Sequence, residues 1–206
     1  MYKFVVLLSS LLAVSALPSP SPSELVNQHN DLLISEDAVE TIWDGTCVYP
    51  KPDGRFKPNE FLGKWYQQAG TETLYNFGCT CVKADYTKNA NGTIGVKNNC
   101  KRYGQPTEVL GSASPVNPVY GEKGALRVTL DGVSEKTGAC PGPNYIVQVY
   151  EKNYMIVQTA HFEALTILSR EQHVPDPQVD QWLRYAKSLG SELSSVVRTR
   201  QTGCAA

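Results

Sequence analysis

The chain has 206 residues, of which 41% are hydrophobic and 19% charged, with a formal net charge of −1 at pH 7. That length supports one domain with a sizeable core. The near-neutral balance, without a basic cluster, argues against nucleic acid or an anionic membrane surface as the main partner.

The first residues read as an export signal. Lys3 precedes the apolar run Phe4–Leu12, and Val14-Ser15-Ala16 fits a small-x-small cleavage site, so residues 1–16 are expected to be a signal peptide. The run is too short to span a bilayer, and no second one follows. The mature chain is therefore expected to be secreted and extracellular, without stable membrane insertion. Residues 17–45 open with Pro and Ser, become polar and acidic, and read as a leader or propeptide-like segment. Within it Leu32, Leu33, Ile34, Val39, Ile42 and Trp43 leave a short packed helix open as an alternative. Residues 46–206 form the main domain, beginning with a Pro- and Gly-rich loop from Cys47 to Pro58.

From Leu62 onward the chain alternates as strands do. The expected strands are Leu62–Ala69, Cys79–Lys88, Thr93–Arg102, Thr107–Ala113, Ala125–Leu130, Asn144–Tyr150, Tyr154–Ala160 and Ala164–Ser169. Most connections are short turns of Gly, Asn, Pro and Asp, which force antiparallel neighbours, because a parallel pair needs a long crossover. The period then changes. Asp176 is placed as a helix cap with Pro177 at the first helical position. Val179, Trp182, Leu183, Ala186 and Leu189 follow on one helical stripe, and Gly190 stops the helix. That stripe needs the outer wall of the sheet to cover it. Leu193–Val197 reads as one further extended segment. Eight antiparallel strands in sequence order satisfy either a closed barrel or a two-sheet sandwich, and periodicity does not separate them.

Six cysteines, Cys47, Cys79, Cys81, Cys100, Cys140 and Cys204, read as three disulfides in an exported chain, with the pairing left open. Cys79-Thr80-Cys81 lacks the spacing of a zinc knuckle, and no histidine adjoins it, so no metal site and no cofactor are expected. Asn91-Gly92-Thr93 is an acceptor sequon for N-linked glycan at Asn91, and its Asn-Gly is a tight-turn signal that exposes it.

Three stretches carry a family resemblance. "KPNEFLGKWYQQAG" resembles the first signature of the lipocalins, filled by Asn59, Phe61, Gly63, Trp65 and Tyr66. "YEKNY" departs from the second signature, Glu151 standing for its aspartate while Tyr154 matches, and "LTILSR" is similar to the third, with Arg170 as its arginine. "CVKADYTKNANGTIGVKNN" and "ASPVNP" look like the group around apolipoprotein D, the insect bilin-binding proteins and the bacterial lipocalins. The resemblance implies an all-β fold: an eight-stranded up-and-down antiparallel barrel with one C-terminal helix packed on its outside. It implies a structural signature of Gly63, Trp65, Tyr154 and Arg170, with Trp65 closing the barrel floor, Arg170 packed across it, and Gly63 keeping that crossing free of a side chain. It also implies the disulfides Cys81–Cys204 and Cys47–Cys140, which leaves Cys79–Cys100. That last bond needs a bulge or a strand end, because strand parity turns Cys79 outward and Cys100 inward.

The expected function is a secreted carrier holding a small hydrophobic molecule, such as a lipid, sterol or pigment, in the barrel lumen. Strand parity nominates Val82, Ala84, Tyr86, Ile94, Val96, Thr166 and Leu168 as lumen residues. Tyr86 also resembles a lumen-facing tyrosine of the apolipoprotein D group, and Thr166 stands where that group has a tryptophan. Two alternatives are a secreted module that binds a protein through its loops or outer surface, and a lipid-acting enzyme using Cys79 or Cys100 as a free lumen thiol. The enzyme is the weaker reading. His29 lies in the leader, His161 and His173 lie near loops, and no Ser-His-Asp order, paired carboxylates or phosphate loop stands out. The sequence carries no signal for oligomeric state.

Overall fold

Every strand that the alternation predicts pairs with its sequence neighbour, and the last returns to the first. The computed structural model describes residues 39–73, 76–134 and 139–204. The expected signal peptide and the leader up to residue 38 lie outside the described residues. A two-stranded hairpin, β1 (Thr41–Trp43) with β2 (Val48–Pro50), comes first, followed by a one-turn helix, α1 (Pro58–Phe61). The barrel strands are β3 (Gly63–Thr71), β4 (Cys79–Lys88), β5 (Ile94–Arg102), β6 (Gln105–Pro115), β7 (Ala125–Leu130), β8 (Tyr145–Tyr150), β9 (Tyr154–Gln158) and β10 (Leu165–Ser169). Each is antiparallel to the next, and β10 pairs with β3, so the sheet closes on itself and loses its edges. Helix α2 (Asp176–Ser188) and a short strand β11 (Val196–Arg198) complete the chain.

Closure divides the apolar residues by face. Trp65, Ala84, Tyr86, Ile94, Val96, Leu126, Val147, Met155, Val157 and Leu168 pack together inside the barrel. Ala69, Val149, Ile156, Leu165 and Ile167 face outward and are covered by Val179, Trp182 and Ala186 of α2, with Trp182 stacked on Tyr154 at 4.6 Å between ring centres. β8 and β9 are therefore apolar on both faces, which is why they read as unbroken hydrophobic runs.

Trp65 is fully buried at the floor, with its indole Nε1 donating to the Phe61 carbonyl at 2.7 Å. The Arg170 guanidinium carbon lies 3.7 Å from the centre of that ring. Arg170 also donates to the carbonyls of Glu60 at 2.5 Å, Phe61 at 3.3 Å, Leu62 at 3.0 Å and Lys64 at 2.8 Å. Three of these are the terminal carbonyls that α1, being one turn long, cannot satisfy itself. Gly63 is needed for its backbone, at φ of +92°, rather than for space: a Cβ there would meet Arg170 Nη1 at an ordinary 3.5 Å.

Three details differ from the sequence reading. Ile42 and Trp43, assigned to the leader with a helix as the alternative, are extended in β1 and pair with Tyr49 and Val48. Asp176 is the first helical residue rather than the cap; Pro175 occupies the cap position, and the Asp176 carboxylate is held by Arg198 at 3.1 Å. The tail strand starts at Val196, where it lies beside β3 in the stretch that β4 has left.

Asp44 fastens the N-terminal hairpin. Its carboxylate accepts from the N–H groups of Cys47 and Thr46 at 2.8 and 2.9 Å, and from the hydroxyls of Tyr49 and Tyr120 at 2.8 and 2.9 Å. The bond from the Cys47 N–H, with the others behind it, holds the Asp44 carboxyl well below the usual carboxylate range.

Two predictions follow from the floor and the hairpin. Arg170→Met removes the carbonyl bonds and the cation over the indole, and is expected to lower stability by about 3 kcal/mol in urea denaturation. Asp44→Ala is expected to lower the melting temperature at pH 7. Because the folded carboxyl titrates below the unfolded one, its contribution is complete above pH about 4 and fades as the pH falls further, so the gap between variant and parent should narrow there.

Candidate functional site

Above the floor the barrel is hollow. A cavity of about 440 Å³ opens there, lined from β4 by Val82, Ala84 and Tyr86, from β6 by Val109, from β7 by Leu130, from β8 by Tyr145 and from β10 by Thr166 and Leu168. Polar groups join this wall from Gln67, Asn98 and Arg102. Below it, Tyr86 packs on Phe61 with ring centres 4.2 Å apart, and Phe61 lies beside Trp65. The site is thus an apolar cup with a solid base and some polarity higher up.

Of the seven nominated lumen residues, Val82, Ala84, Tyr86, Thr166 and Leu168 line the cavity. Ile94 and Val96 also point inward, but they belong to the packed interior at and below the level of Tyr86, and the cavity does not reach them. Val96 is directly opposite Tyr86 in the ladder, and Ile94 is opposite Lys88, at the closed end. Alternation along a strand gives the direction of a side chain and not its height in the barrel, so it does not separate the cavity lining from the packed interior beneath it.

Val109, Leu130, Tyr145 and Gln67 were missed, while Asn98, which continues the inward alternation of Ile94 and Val96, lines the cavity without having been nominated. Val109 stands in a strand interrupted by Gly and Ser, where the pattern is faint. Leu130 ends the alternation Leu126, Val128, Leu130 and was readable. Tyr145 opens β8, whose neighbour Ile146 is buried from outside against Cys47 and Tyr49, so no alternation marks which face is which.

The cysteines show how β4 is bent. Cys81 adopts φ of +57°, and the register with β5 slips between Thr80 and Lys83. One extra residue on β4 reverses parity above it. Cys79 consequently faces inward, not outward, and is bonded to Cys100, both sulfur-bearing residues lining the cavity. Cys81 turns the other way and is bonded to Cys204, which brings the tail against the barrel. Cys47 is bonded to Cys140, clipping the N-terminal hairpin to the loop before β8. Among the described residues, the imidazole of His161 and the sulfurs of Cys47 and Cys140 lie within 4.8 Å of one another, but both sulfurs are committed to the disulfide.

At the base of the cup, the hydroxyls of Tyr86 and Tyr145 are 3.0 Å apart. Burial pushes Tyr86 up to about 12 and Tyr145 well above the ordinary tyrosine value. Both therefore stay protonated throughout the physiological range. Asn91 is exposed in the β4–β5 turn and does not line the cavity; its side-chain oxygen accepts from the Thr93 N–H at 3.1 Å.

This architecture recurs in known proteins. A family model described as a lipocalin-like domain matches residues 57–201. Apolipoprotein D of Macaca fascicularis is 27% identical over 168 residues, covering 78% of this chain and 85% of its own. The outer membrane lipoprotein Blc of Vibrio cholerae is 27% identical over 155 residues, covering 73% and 86%. Lobster apocrustacyanin A1 superimposes with a TM-score of 0.55 at 21% identity, covering 71% of this chain and 81% of its own. With a closed eight-stranded barrel, an external helix and a family match over most of its length, this chain belongs to the lipocalin family.

Proposed function

We propose that this protein is a secreted carrier that holds one small hydrophobic molecule in the cup of its barrel. Export by way of residues 1–16 and N-glycosylation at Asn91 belong to the same reading. The observation that carries it is the cavity of about 440 Å³, apolar along Val82, Ala84, Val109, Leu130 and Leu168 and sealed beneath by Tyr86, Phe61 and Trp65. Pockets of this size bury most of a small ligand, and removal of its apolar surface from water drives binding. A ligand of about 20 heavy atoms at roughly 0.3 kcal/mol per atom reaches about −6 kcal/mol, in the range of tens of micromolar. Family membership supports the same reading, since lipocalins bind small hydrophobic ligands, and proteins named apolipoprotein and lipoprotein are among its relatives.

Carriage is preferred to catalysis on a specific ground. The two sulfurs that reach the cavity, those of Cys79 and Cys100, are bonded to each other and leave no thiolate to act as a nucleophile. No histidine lines the cavity among the described residues.

The test is direct. Protein purified from its native secretion route is extracted with organic solvent, and the extract is identified by mass spectrometry; the refolded protein is titrated with the neutral fluorescent probe N-phenyl-1-naphthylamine. Ala84→Trp places an indole in the cup and is expected to weaken the probe at least tenfold. Ile94→Ala, below the cup, is expected to leave probe binding within about twofold of the parent while lowering stability by about 2–4 kcal/mol. Equal loss of probe in both variants, or no probe binding by the parent, would refute a lumen carrier.

A further inference from the structure

The two hydroxyls at the base of the cup have a hydrogen left over. Tyr86 and Tyr145 each carry one O–H, and the single contact between them, at 3.0 Å, uses one of the two hydrogens. Among the described residues neither hydroxyl bonds any other protein group. Both residues border the cavity while their rings sit in the packed interior against Phe61, at 4.2 Å for Tyr86 and 6.4 Å for Tyr145. One O–H donor is therefore presented to whatever occupies the deepest part of the cup.

A buried donor without an acceptor is costly, so a ligand ending in plain hydrocarbon at this depth is disfavoured relative to one that brings an oxygen. The oxygen has to be uncharged. The cations that border the cavity, Lys83 and Arg102, stand higher on β4 and β5, with Arg102 opposite Cys79 while Tyr86 is opposite Val96, and neither contacts the tyrosine pair. A carboxylate or phosphate would lose its hydration for a single hydrogen bond.

We infer that the Tyr86–Tyr145 pair is a polar anchor selecting a neutral ligand whose inner end carries a carbonyl, ester or hydroxyl oxygen, with its apolar body running outward past Ala84, Leu168, Val109 and Leu130. This rests on the carrier reading and deepens it. A carbonyl accepts the spare hydrogen. A hydroxyl accepts it and donates its own to a tyrosine oxygen. The pair also predicts redundancy: replacing one tyrosine by phenylalanine frees the other hydroxyl from its partner, and that hydroxyl then serves the ligand itself.

The test uses the full chain and two probes that differ only in one CH₂ replaced by C=O, decane and decan-2-one, each displacing N-phenyl-1-naphthylamine. The quantity read is the ratio of their affinities. Tyr86→Phe and Tyr145→Phe singly are each expected to keep the ratio within about twofold of the parent, while the double variant loses about five- to tenfold, the size of one net hydrogen bond. A second measurement needs no variant. The infrared carbonyl stretch of decan-2-one bound to the parent protein is expected at the lower frequency it shows in alcohol, not at its value in hexane. If both probes displace the reporter but the carbonyl stretch is that of hexane, or the ratio survives in the double variant, the anchor is overturned and the carrier reading stands. If the reporter and both probes fail to bind the parent, both readings fall.

Discussion

Arg170 decides that this barrel has a bottom. A closed antiparallel sheet is open at both ends, and the chain has to cross one of them to make a cup. It does so with α1, a single turn of helix whose terminal carbonyls have no helical partners. One guanidinium answers three of those carbonyls and a fourth on Lys64, while its flat face lies 3.7 Å from the centre of the Trp65 ring. The planar fork is what makes this geometry available; an ammonium could supply the charge but not the face and the parallel donors together. Arg170 follows directly on β10, the strand that closes the sheet against β3, so one short stretch of sequence both shuts the wall and holds the floor.

The opposite wall is made less regularly. β3 and β4 are laddered only from Gly63 to Tyr66, after which the bulge at Cys81 carries β4 away. The tail fills the split. β11 pairs with Ala69, Gly70 and Thr71, and the Cys81 N–H donates to the Arg200 carbonyl at 2.8 Å. The Gln201 side chain spans the two separated strands, its amide donating to the carbonyls of Gln67 and Val82 at 2.8 Å each. A glutamine thus does what a ladder does elsewhere, satisfying buried carbonyls that would otherwise lack partners. The Cys81–Cys204 disulfide holds the tail in register for this substitution, across a sequence separation of 123 residues.

Much of the fold was legible because its signals are local. The turn residues, the short connections and the switch from a two-residue to a helical period place eight strands and a helix without reference to anything distant. Closure was a different matter. Whether the eighth strand meets the first depends on twist and on a long-range pairing that alternation does not encode, and only the signature residues around Gly63, Trp65 and Arg170 distinguished barrel from sandwich. The cup was legible in part for the same reason. Parity turns Val82, Ala84 and Tyr86 inward, and Val96 by the same rule, yet only the first three border the cavity, because the floor rises to Phe61 and Tyr86 and buries what lies below. The inward turn of Cys79 needed the bulge, and a bulge is one residue of slippage that leaves no composition signal beyond an unusual φ at Cys81.

Floor height and wall irregularity together set what the cup can hold. Had the interior been filled to the mouth, the inward residues at this level would have to be large, but Ala84 beside Val82 on β4 and Thr166 on β10 are small and leave space inside the barrel. The floor, by contrast, is crowded with aromatic rings from four separate segments, Phe56, Phe61, Tyr86 and Tyr150, in mutual edge and tilted contacts. Rings pack rigidly and resist collapse, so the boundary between filled and hollow stays sharp. That boundary falls at the Tyr86 hydroxyl, the last polar atom of the packed base and the first that an occupant of the cup would meet.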